Sequence, residues 1–126
     1  MKKLLAITLI VLTLTACKSQ PQPFVKIKSA KTDRVQIESA YMTAPSYIII
    51  REAGSGDVAG PIIGQSILYP VGPVTGGVIA TAALRSGQKY LAEIRVENGD
   101  YKFTESLDQP AKNSQGKSVV ISFVAQ

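Results

Sequence analysis

Few side chains in this 126-residue sequence could do chemistry, and Cys17 is its only cysteine. A lone cysteine has no intramolecular disulfide partner. There is no histidine, which removes the commonest general base and the commonest metal ligand. Glu93 and Glu97 share a strand face, but four residues at ~3.3 Å each place them about 13 Å apart along the strand. Glycosidase carboxylate pairs need roughly 5–9.5 Å, so the chain is expected not to be an enzyme. Glu97, Asp100, Glu105 and Asp108 could supply part of a calcium site, which takes about six to eight oxygens. Asn98-Gly99 and Asp108 have simpler explanations as a turn and a loop, and no metal or cofactor is expected. Tyr69 opens the proline-bearing stretch Tyr69–Pro73 (YPVGP) and is the aromatic suited to anchor a protein contact. Its plainer reading is a ring covering the edge of the fold.

Cys17 ends a distinctive leader. Lys2 and Lys3 precede an apolar run, Leu4 to Leu14, broken only by Thr8 and Thr13. The run is short of the ~20 residues of a permanent membrane helix and has the length and flanks of a secretory signal. Leu14-Thr15-Ala16-Cys17 resembles the lipobox of bacterial lipoproteins, with a leucine three before the cysteine and small residues beside it. The resemblance implies diacylglycerol on the Cys17 thiol, cleavage just before it and acylation of the new amine. Two or three chains anchor firmly where one holds marginally. Lys18 follows the cysteine, and in the family a residue other than Asp there implies the outer membrane of a diderm cell. The alternative is a secreted protein that keeps Cys17 as a free thiol. The organisation read from this is a signal peptide over 1–16, an acylated cysteine and tether over 17–23, and a folded domain over 24–126.

Cleavage would leave 126 − 16 = 110 residues, enough for one domain with a modest core. Loss of Lys2 and Lys3 takes the formal charge from +5 to +3. The bases are scattered, with Lys26, Lys28, Lys31 and Arg34 as the only local concentration. Nucleic-acid binding calls for a basic stripe interleaved with aromatics, and none is expected. The cluster reads as a solvated face beside anionic headgroups.

The elements that must position these residues are strands. Pro21 and Pro23 keep the tether extended. Phe24 to Lys28 (FVKIK) and Arg34 to Glu38 (RVQIE) alternate with period two, as half-buried strands do. Ser46 to Glu52 (SYIIIRE) reads as a central strand covered on both faces, and Gly54 to Asp57 breaks it. Pro61 to Leu68 is a strand weakened by Gly64, Tyr69 to Pro73 a loop, and Val74 to Leu84 a strand by its β-branched content. Lys89 to Glu97 alternates cleanly and runs into Asn98-Gly99, a strong hairpin signal. A return strand is therefore expected over Asp100 to Thr104, with Tyr101 and Phe103 facing the core. Glu105 to Lys117 reads as a polar loop and Ser118 to Ala125 as the last strand. The fold class predicted is all-β, an immunoglobulin-like sandwich of about seven or eight short strands, with a small β-barrel as the alternative.

From Tyr47 onward the order of features is similar to a small extracellular domain of archaeal and bacterial surface proteins. The residues carrying this are Tyr47–Glu52, Gly54–Gly60, Ile63-Gly64-Gln65-Ser66, Gly72, Val74–Leu84 and Leu91-Ala92-Glu93-Ile94. The resemblance implies a cell-surface sandwich and carries no reaction. The function expected is a lipid-anchored envelope protein with a structural or protein-contact role, through the loops Gly54–Gly60, Tyr69–Pro73 and Glu105–Gly116. The alternatives are a carbohydrate or peptidoglycan module, which would expose a platform from Tyr41, Tyr47 and Tyr69, and a small hydrolase inhibitor working through Tyr69–Pro73.

Overall fold

The computed structural model describes residues 21–126; Cys17, the signal-like run and most of the tether lie outside them. Eight strands follow in order: β1 Phe24–Lys31, β2 Arg34–Met42, β3 Ser46–Ala53, β4 Ala59–Gln65, β5 Gly72–Thr75, β6 Val78–Ala80, β7 Lys89–Val96 and β8 Val120–Val124. They form two antiparallel sheets of four strands each. In one, β2 pairs with β1 on one edge and with β5 and β6 on the other; the second has the order β4-β3-β7-β8. The fold is therefore all-β and a sandwich, not a closed barrel.

Alternation builds the core. Val35, Ile37, Ala40 and Met42 of β2 meet Ile48 and Ile50 of β3 and Ala92 and Ile94 of β7 across the two inner faces. The strand order matches A-B-E and C′-C-F-G of immunoglobulin-like sandwiches. A second feature of that architecture is present near the start of β7. Tyr90 is buried, and its hydroxyl accepts the Arg85 N–H at 2.8 Å, the tyrosine corner that fixes the turn into the F strand.

Three sequence expectations are refined. Val74 to Leu84 is not one strand, because the ladder lapses at Gly76-Gly77, where Gly76 takes φ +73°. The register nevertheless continues across the gap, since Ser39 faces Thr75 and Gln36 faces Val78. Gly64 marks the seam between the sheets. It bridges to Thr81, and a Cβ there would lie 2.7 Å from Thr81 Cγ2 and 2.9 Å from the Ala80 carbonyl.

The third is a correction. No return strand forms over Asp100 to Thr104. Both edges of β7 are already taken: β3 lies on one side, and on the other β8 pairs with its first half. Beyond that, Ala111 N–H donates to the Ile94 carbonyl and Val96 N–H to the Gln109 carbonyl, both at about 2.8–2.9 Å. The last strand is thus split, with residues 112–118 looping out between its two segments.

Candidate functional site

The segment that does not return as a strand crosses the outer face of the β4-β3-β7-β8 sheet. Cross-strand pairs Tyr47–Arg95, Ile49–Glu93 and Arg51–Leu91 line that face, opposite the core-facing Ile48, Ile50, Ala92 and Ile94. All six except Arg95 are buried, which is why the isoleucine-rich β3 reads as covered on both sides. The pins holding the segment down are polar. Arg51 Nε donates to Glu93 Oε1 at 2.7 Å, its Nη1 to the Gly60 carbonyl at 3.0 Å and its Nη2 to the Glu105 carboxylate. Arg95 bonds Glu93 Oε1 through Nε at 3.1 Å, and its Nη1 reaches the Glu105 and Asp108 carbonyls. Phe103 meets Tyr47 edge-on, 5.7 Å between ring centres. Burial alone would lower the Arg51 pKa, but its hydrogen bonds to Glu105 and Glu93 outweigh that and raise it. The Arg51 hydrogen bond and charge hold Glu105 below the ordinary carboxylate value.

The acidic residues singled out in the sequence divide here. Glu105 belongs to the Arg51 network, whereas Glu97, Asp100 and Asp108 bring carboxylate oxygens within 4.8 Å of one another. Among the described residues none of these three pairs with a lysine or arginine. Their work is done on backbone amides. Asp108, 0 % exposed, accepts Asn98 N–H at 3.0 Å and Thr104 N–H at 2.6 Å. Glu97 Oε2 accepts Gly99 N–H at 3.1 Å and also Tyr101 N–H, and Asp100 accepts Lys102 N–H at 3.0 Å. Short side-chain acceptors that capture nearby N–H groups offer the backbone an alternative to a ladder, and here they replace the hairpin. Glu97 Oε1 is buried without a hydrogen bond of good geometry. Tyr47 is buried nearby, and its hydroxyl feels that carboxylate. Its pKa is raised by burial first, then by the charges of Glu97, Asp108 and Asp100. Three carboxylates could contribute to a cation site, but they are short of the six to eight oxygens that calcium takes.

This scaffold presents Tyr101. The residue sits at φ +60° and is 77 % exposed, although the sequence pattern placed it toward the core. The signal that could have found it is the run of acceptors Glu97, Asn98 and Asp100, each two residues or so ahead of an N–H it captures.

Tyr69 is differently placed. Its N–H and carbonyl both pair with Ser46 at 2.8 and 3.0 Å, and its half-buried ring packs against the core. A Cβ on Gly77 would collide with its hydroxyl, whose pKa burial pushes up. The exposed large apolar side chains of its loop are the flanking Ile67, 74 % exposed, and Val71. Tyr47 is buried and Tyr41 and Tyr69 are half-buried, so these three rings form no exposed platform. Glu93 is held between two arginines on β7, while Glu97 lies past the strand's end. The Gly54–Gly60 loop holds a 3-10 turn over Ser55–Asp57, and Asp57 pairs with Lys89 at 3.1 Å.

Three loops gather at one end, away from the Gly54–Gly60 loop. β2 ends where β3 begins, β4 leads into the Ile67–Val71 stretch, and β7 leads into residues 97–108. Glu97 N–H donates to the Pro45 carbonyl at 2.9 Å, and the Tyr69–Ser46 pair closes the same rim. Phe24, opposite Tyr41 near the end of β2, lies at this end as well. Compared with protein-family models, with curated proteins and with solved structures, the chain matches none.

Proposed function

We propose that this chain is a lipid-anchored, non-catalytic protein of the bacterial cell envelope, and that its sandwich binds a protein partner through the loop end. The observation that carries the reading is Tyr101: an exposed aromatic on a loop whose backbone is tied down by Glu97, Asp100 and Asp108. Ordering a loop on binding costs free energy, so a loop ordered in advance keeps more of its contact energy. Aromatic anchors carry a large share of that energy. Ile67 and Val71 on the neighbouring loop extend the apolar contact. The lipobox-like LTAC supports anchoring through Cys17 and, by family resemblance, an outer-membrane location in a diderm cell. A rigid loop with one protruding anchor also suits an inhibitor of an envelope hydrolase, a narrower form of the same reading.

The test is affinity capture from solubilised envelope with the full-length, membrane-extracted protein, together with its mass at Cys17. The expected result is acylated Cys17 and a saturable partner whose affinity falls about thirtyfold in Tyr101→Ala, the loss typical of a contact hot spot. Tyr69→Ala should leave that affinity within about threefold, since its ring is turned inward, as contacts outside the hot spots are near neutral. Retention of peptidoglycan alone would move the reading to a carbohydrate module. Binding unaffected by Tyr101→Ala would overturn the loop assignment.

A further inference from the structure

The contact end and the chain's route to its anchor coincide. Phe24, the first residue of β1, stands opposite Tyr41, the next-to-last residue of β2, at the end where residues 43–45, 66–71 and 97–108 emerge. Cys17 stands seven positions before Phe24, a distance of at most about 25 Å when the chain is fully extended. Gln22 accepts the Ser114 N–H at 2.7 Å, so the tether runs against the 112–118 loop at the β8 edge of the sandwich. A lipid on Cys17 would hold the loop end, not the far end, close to the bilayer.

The surface there combines two features. Among the described residues Phe24, Ile67, Val71, Tyr101 and Leu107 are five of the nine exposed large apolar side chains, whereas the opposite end has Val58 in the turn between β3 and β4 and Val124 beside the start of β7. The same end carries the exposed Asp100 and the half-buried Glu97, with no basic side chain paired to either among the described residues, while Asp108 is fully buried and adds nothing to that surface. A bare anionic lipid surface attracts bases and repels acids, so this end is poorly matched to the headgroups themselves. It is matched to a protein surface that is basic around an apolar recess, since complementary charge steers and registers such contacts.

We infer that the partner is a membrane-embedded protein whose envelope-facing surface is basic and apolar, engaged by the loop end from the side, with both molecules held in one membrane. This rests on the anchored, protein-binding reading above and adds where the partner must be. Confining both molecules to a membrane raises their effective concentration, a gain of about 10²–10⁴ with no new contact. The anchor is then part of the binding energy, not only an address.

The experiment uses the full chain in intact cells with a photo-crosslinking amino acid at Val71, Leu107 or Val58. Adducts from positions 71 and 107 to an integral membrane protein are expected, with little from 58. In a Cys17→Ser chain exported without lipid, the yield at 71 and 107 should fall about a hundredfold, the lower end of what co-confinement supplies. A purified Cys17→Ser protein should still bind the detergent-solubilised partner as tightly as the acylated one. If the adducts are to a soluble protein, or the yield is unchanged by Cys17→Ser, the membrane-embedded partner is refuted and the contact end stands. Adducts only to lipid refute it too. Equal protein adducts from 58, 71 and 107, or none, remove the contact-end reading itself.

Discussion

Two tyrosines stand on neighbouring loops at the same end of the sandwich, and their fates are opposite. Tyr69 stands in sequence beside Pro70, Gly72 and Pro73, the composition of an exposed connection, although Gly72 and Pro73 open β5 and pair with β2. Tyr101 follows a run that reads as a hairpin, with period-two neighbours that place it in a sheet. The structure takes the plainer reading of Tyr69, a half-buried ring covering the edge of the fold, and reverses that of Tyr101, which is the most exposed aromatic ring. What decides each is where its backbone finds hydrogen bonds. Tyr69 is paired through both its N–H and its carbonyl to Ser46, which turns the ring inward over Gly77. Tyr101 gives its N–H to the Glu97 carboxylate, which detaches it from any ladder. Buried backbone groups must be satisfied somewhere, and the partner they choose aims the side chain.

The strongest way to break this contrast is to release the segment that carries Tyr101. Arg51 is buried and has three acceptors, one of them on that segment. Removing one member of a buried ion pair costs about 3–5 kcal/mol. Arg95 still faces Glu93 in the variant, which places Arg51→Ala near the lower figure, about 3 kcal/mol. Chemical denaturation should report that loss, and amide exchange over residues 97–108 should accelerate more than over β1 and β2. A loss under 1 kcal/mol with unchanged exchange would mean that the network does not hold the segment.

Most of the sandwich was legible in the sequence because period two is enforced by burial on one face. The strands of Phe24–Lys28, Arg34–Glu38, Ser46–Glu52 and Lys89–Glu97 lie within β1, β2, β3 and β7 or overrun them by a residue. The Asn98-Gly99 signal failed for a reason a local pattern cannot contain. A hairpin needs a free edge, and β7 has β3 on one side and residues 109–111 with β8 on the other. The long-range partners Gln109 and Ala111 decide it, from a stretch that reads only as polar loop. The same holds for the acids: their spacing suggests shared ligation, while the fold gives Glu105 to Arg51 and the other three to backbone amides.

A smaller effect sharpens the other half of the contrast. Gly77 lies beneath the Tyr69 hydroxyl and 3.1 Å, measured from an added Cβ, from Ile37 Cδ1. Gly77→Ala should displace the ring at a cost of about 1–3 kcal/mol, the range for an extra methyl in packed surroundings. Because the obstructing hydroxyl is the far end of a side chain, the expected response is movement of Tyr69 toward solvent. Quenching of tyrosine emission by iodide should rise in the variant and not in Gly77→Ala combined with Tyr69→Phe. An unchanged thermal midpoint and quenching would show that Tyr69 is not seated by this contact.

The smallest expected effect separates the two loops by pH. The Arg51 hydrogen bond, then its charge, lowers the folded-state pKa of Glu105, and nothing comparable acts on the Tyr69 loop, which has no carboxylate between Ser66 and Thr75. A depressed carboxylate contributes stability that is fully present above its unfolded value, about 4.3. That contribution is lost as pH falls through the lower folded value. Glu105 is half exposed, so solvent and salt screen the pair, and the loss should be modest and smaller at high ionic strength. Thermal midpoints of the parent and Glu105→Gln, followed from pH 7 to pH 3, should be separated by a constant amount at neutral pH and converge in acid. Amide exchange at acid pH should then increase over 97–108 while residues 66–71 stay protected. Convergence without that local change would place the titrating group elsewhere and leave the two loops alike in acid.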